Sequence, residues 1–122
     1  DVDHEDLTIS VAYKLHNLYS AYEDLFKLIA RFFENQIEDM ARYHTGLLKR
    51  MQIDIEDIRP ALLSDESFGV LDELRGFRHV FRHAYSYELE GERVIKLAER
   101  SMRLEGNFEK DFERFTGKLK SF

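Results

Sequence analysis

The sequence predicts an all-α protein, an up-and-down bundle of about four helices in a single domain spanning residues 1–122. Three observations lead there. Apolar residues recur at alternating spacings of four and three along most of the chain, the period of an amphipathic helix. One proline and six glycines leave little punctuation for a many-turned β fold. Hydrophobic residues make up 43% of the 122, enough for one core and too few residues for two comfortable domains.

The first stripe runs Val11, Leu15, Leu18, Tyr22, Leu25, Ile29, Phe32 and continues less cleanly through Ile37, Met40, Leu47 and Met51. No proline or glycine falls between Val11 and Thr45, so either one long helix runs here or two join near Asn35-Gln36. Gln52 to Leu63 is a connector. Arg59, which precedes Pro60, is expected to be extended, and Ile53, Ile55, Ile58, Leu62 and Leu63 are expected to pack onto the bundle. Ser64 is placed as a helix N-cap, with Asp65 and Glu66 in the favourable first turn. The next helix buries Phe68, Leu71, Leu74 and Phe81 and ends near Tyr85. Gly91 lies in the following joint. The last helix starts near Glu92 and carries Val94, Leu97, Ser101, Leu104, Phe108, Phe112, Phe115, Leu119 and Phe122 on one side. Its phenylalanines read as core or, in part, as a seam between two copies.

Composition excludes several functions. With no cysteine, disulfide scaffolds, thiolate zinc sites and cysteine nucleophiles are ruled out. No apolar run approaches the roughly 20 residues of a membrane span. The opening Asp1-Val2-Asp3-His4-Glu5-Asp6 is not a signal peptide and has no initiator methionine, so the start reads as trimmed and the expected location is cytoplasmic. Eighteen basic and 24 acidic residues give a net charge of −6, against a non-specific nucleic-acid binder.

The charge is unevenly spread. Arg75-Gly76-Phe77-Arg78-His79-Val80-Phe81-Arg82-His83 contains three arginines, two histidines and no acid. This island carries +3 against −6 overall, which leaves −9 for the rest. Arg75, Arg78 and Arg82 share one side of a helix as like charges. Arg78 has no acid three or four residues away, so its charge must meet a tertiary carboxylate, water or an anionic ligand. A bland role exists as well, because basic residues near a helix C-terminus complement its dipole. His79 and His83, four apart, share a face that can hold a metal, yet no carboxylate in the stretch completes a site. A histidine beside arginines has its neutral form favoured and is available as a base near pH 7. An arginine beside it can hold a phosphate through two parallel hydrogen bonds. Base and clamp together suffice for RNA cleavage, since RNA brings its own 2′-hydroxyl nucleophile.

These residues carry a resemblance. Arg78-His79-Val80-Phe81-Arg82-His83-Ala84-Tyr85 resembles the Arg-x4-His-x-Tyr motif of the HepT family of HEPN ribonuclease toxins. Arg59-Pro60-Ala61-Leu62-Leu63-Ser64 and Leu71-Asp72-Glu73-Leu74-Arg75-Gly76-Phe77-Arg78 are similar to family sequence too, and the resemblance spans the chain from about Leu7 onward. It implies a helical bundle that forms a homodimer, with two motifs in one cleft, and RNA cleavage with no metal or cofactor. It implies that Arg78 binds and polarises the scissile phosphate and that His83 is the general base or acid. His79 is then a supporting polar residue, and Arg75 and Arg82 supply further phosphate contacts. The expected partner is an MntA-like minimal nucleotidyltransferase antitoxin that transfers AMP from ATP to Tyr85, with Tyr87 a second candidate acceptor. An AMP on Tyr85 sets a phosphate beside Arg78 and His83 and blocks the cleft. Residues five apart on an ideal helix differ in direction by about 140°, so Arg78 and His83 of one copy diverge. Two copies about a two-fold axis can combine them. The rival reading is a non-catalytic helical nucleotide-binding partner of a nucleotidyltransferase.

Overall fold

The computed structural model describes residues 2–34, 46–82 and 90–121. The chain is all-α, as the periodicity predicts. Helix α1 spans Val2–Glu34, α3 Asp65–Arg82 and α4 Gly91–Leu119; the described part of α2 covers residues 46–50. The three long helices pack on one another in every pairing. The first helix therefore runs without a break to Glu34, and the expected joint at Asn35-Gln36 lies outside the described residues.

On α1 the buried line is Thr8, Ala12, Leu15, Tyr19, Glu23, Phe26 and Ala30. Of the expected stripe, Leu15 and Ile29 are buried, Val11, Leu18, Tyr22 and Leu25 are half-buried, and Phe32 is 82% exposed. A helix packed against two neighbours has a contact face wider than one stripe, and here the centre of that face falls between Leu15 and Tyr19. On α3, Leu71 and Leu74 are buried as expected, together with Val70 and Phe77, while Phe68 and Phe81 sit at the core's edge. On α4, Val94, Leu97, Ser101, Leu104 and Phe115 are buried. Phe115 packs edge-on against Phe33, and Phe108 edge-on against Tyr22, with centroids 5.9 and 5.1 Å apart. Phe112 stays 43% exposed.

The N-cap at Ser64 forms as expected. Its hydroxyl accepts from the Ser67 N–H at 3.2 Å. Its own N–H and hydroxyl both donate to Asp111 Oδ2, at 3.1 Å each, which ties the start of α3 to α4.

The connector departs from the sequence expectation. Leu62 and Leu63 are buried, but Ile53 is 53% and Ile58 43% exposed. The buried element is Arg59, with no exposed surface. Ile55 and Arg59 pair across a tight turn, with Asp57 at φ 65°, a conformation aspartate tolerates better than most residues. The turn points Arg59 inward and so leaves the isoleucines facing out. Arg59 donates to the carbonyls of Ile53, Pro60 and Arg50, and to Glu34. Both the Leu62 and Leu63 N–H groups donate to the Met51 carbonyl, which closes the loop at its neck.

Candidate functional site

Helix α3 carries the cationic island. The Ser64 cap fixes its start, and burial of Val70, Leu74 and Phe77 fixes its rotation about its axis. That rotation turns Arg78 toward α1. Facing it along α1 are Tyr19, Ser20 and Glu23, neighbours on one side of that helix.

Of the three candidate counter-charges for Arg78, the structure supplies a tertiary carboxylate. Arg78 Nη1 donates to both Glu23 oxygens at 3.1 Å, and Nη2 donates to Ser20 Oγ at 3.1 Å. The guanidinium carbon lies 5.3 Å from the centre of the Tyr19 ring, a cation–π contact. Lys27 Nζ reaches the same carboxylate at 3.3 Å. One carboxylate thus faces two cations, and the cluster keeps a surplus positive charge. Burial pushes the Tyr19 phenol up to about 12; the Glu23 charge adds to this and Arg78 opposes it.

The other island residues part company. Arg75 lies half exposed and folds back on its own helix, with Nε and Nη2 on Asp72 Oδ1 at 3.0 and 2.9 Å. The predicted like-charge row is therefore relieved twice, once within α3 and once from α1. His79 is exposed. Arg82 is the last residue of α3, and its side chain is outside the described set. His83, Tyr85 and Tyr87 lie outside the described residues, as does the expected helix end near Tyr85. Among the described residues there is no metal-binding cluster, and no helix is long and apolar enough to cross a membrane.

Sequence reasoning missed Glu23, Ser20 and Asp111. A signal for Glu23 was available: it is the one acid on the buried line that runs through Tyr19 and Phe26. Asp111 likewise sits between Phe108 and Phe115 on the α4 stripe and is buried.

No curated protein and no solved structure gives a match to the chain. A protein family described as HepT-like protein matches residues 10–119, a span that takes in α3 and α4 whole and α1 from Ser10 onward. The chain accordingly belongs to the HepT-like family, a family of HEPN-type proteins associated with toxin–antitoxin pairs.

Proposed function

We propose that the chain is the toxin of its pair and a metal-independent endoribonuclease. The observation that supports this best is the setting of Arg78. It is a largely covered guanidinium in a cluster with surplus positive charge, on the helix that opens the Arg-x4-His-x-Tyr motif. Arg78 binds and polarises the scissile phosphate. His83 takes the proton of the 2′-hydroxyl as it attacks phosphorus, and a protonated group returns one to the departing 5′-oxygen. The products are a 2′,3′-cyclic phosphate and a 5′-hydroxyl end. Residues five apart on an ideal helix point about 140° apart, so the proposed working unit is a homodimer whose α3 helices lie near the axis and combine Arg78 with His83. Arg75, His79 and Arg82 supply further RNA contacts. The antitoxin is a minimal nucleotidyltransferase that attaches AMP to Tyr85.

The test is direct. Purified protein with EDTA present is expected to cut RNA and leave cyclic phosphate ends. His83→Ala is expected to lower the rate by ~10²–10⁴-fold with the helical content unchanged. A folded parent that binds nucleotide and cuts no RNA at any concentration favours the non-catalytic nucleotide-binding reading instead.

A further inference from the structure

We infer that Glu23 is the positioning residue for Arg78: it fixes the guanidinium from α1 so that the remaining Nη2 donor is held ready for a phosphodiester. The inference rests on the ribonuclease reading and deepens it by adding α1 to the site.

A guanidinium offers five N–H donors in one rigid plane. Arg78 spends Nη1 on the two Glu23 oxygens and one Nη2 donor on Ser20 Oγ. Two corners of the plane are thus held from α1 while the side chain itself leaves α3. The Ser20 hydroxyl is fixed in turn, because it donates to the His16 carbonyl at 3.1 Å. The Tyr19 ring supports the guanidinium face. Nε is itself covered and finds no acceptor among the described residues. The remaining Nη2 donor is the one left to give to a phosphate oxygen. Lys27 shares the Glu23 carboxylate, so holding Arg78 does not neutralise the cluster. The Arg78 side chain remains 17% exposed, against 7% for Glu23, which places the arginine and not the acid toward an incoming anion.

The experiment compares parent, Glu23→Gln, Arg78→Lys and the double variant, with kcat and KM measured on a short RNA oligonucleotide. Glu23→Gln keeps the shape and removes the charge. It is expected to lower kcat by about 10- to 100-fold, the cost of a misplaced group, with KM changed by no more than about twofold. In the Arg78→Lys background it is expected to cost nothing further, because the two residues act as a unit. Nitrogen-15 spectra of the guanidinium groups give a second readout that needs no RNA. The slowly exchanging Arg78 Nη signals of the parent should average out in Glu23→Gln. If Glu23→Gln does not fold, Ser20→Ala, which removes only the Nη2 acceptor, carries the same kcat measurement. Parental kcat and KM in a folded Glu23→Gln chain overturn the assignment, as does full additivity with Arg78→Lys. A parent that shows the restrained Arg78 signals and leaves RNA intact overturns the ribonuclease reading instead.

Discussion

Glu34, the last residue of α1, meets the fully buried guanidinium of Arg59 through Oε2 at 3.4 Å, while its other oxygen takes Arg50 Nε. Burial pushes the Arg59 guanidinium down and the Glu34 charge opposes that, so the pair stands or falls together. Removing the acid alone strands a buried cation. Glu34→Ala is expected to cost about 3–5 kcal/mol in urea-induced unfolding. Replacing both partners, as Glu34→Leu with Arg59→Met, is expected to cost less than Glu34→Ala alone. Equal losses would show that the carbonyls of Ile53, Pro60 and Arg50 suffice to hold Arg59.

The double contact of Asp111 with Ser64 makes a second stability test. Ser64→Ala removes a helix cap and is expected to cost about 1 kcal/mol. Asp111→Ala leaves the Ser64 N–H and hydroxyl without their acceptor and is expected to cost about 1–3 kcal/mol. The two substitutions share a partner, so their denaturation energies should sum to more than the double variant loses.

Tyr19 makes stability fall at alkaline pH. Its phenol ionises at about 12 in the folded chain, against about 10 for an unfolded tyrosine. Between these values the folded state holds a proton that the unfolded state has released. The stabilisation is therefore complete below about pH 10 and is lost as pH rises toward 12. Tyr19→Phe should flatten that limb of a stability–pH curve, and absorbance titration at alkaline pH should lose its latest-ionising tyrosine.

Tyr85→Phe keeps the aromatic ring and removes the proposed AMP acceptor. The variant is expected to cleave RNA like the parent and to resist silencing by the nucleotidyltransferase with ATP and magnesium. Intact-mass measurement shows each AMP as one increment. Full modification of Tyr85→Phe moves the acceptor elsewhere, with Tyr87 next.

What could be read from the sequence divides along the range of the physics. The Ser64 cap and its acidic first turn are local chemistry, and so are the stripes of α1 and α4. The need of Arg78 for a distant counter-charge was legible too, since its own helix offers none. The identity of that counter-charge had only a faint signal, one acid on an otherwise apolar line, because the pairing is distant: Glu23 lies 55 residues away, and Asp111 lies 47 from Ser64. In a linear reading both look like surface acids that interrupt an apolar stripe. The connector misled for the same reason. Hydrophobic isoleucines suggest burial, but the turn at Asp57 directs Arg59 inward, where Glu34 and three carbonyls take its two terminal nitrogens.

The neck at Met51 bears on the order of folding. Its carbonyl binds the N–H groups of Leu62 and Leu63. A loop of about ten residues meets its own ends in ~10–100 ns, far ahead of slower long-range assembly. Closing it costs about 1 kcal/mol less chain entropy than joining Ser64 to Asp111, 47 residues away. The segment from α2 to Ser64 is therefore expected to close first, with Glu34 and Asp111 bringing the two longest described helices onto it.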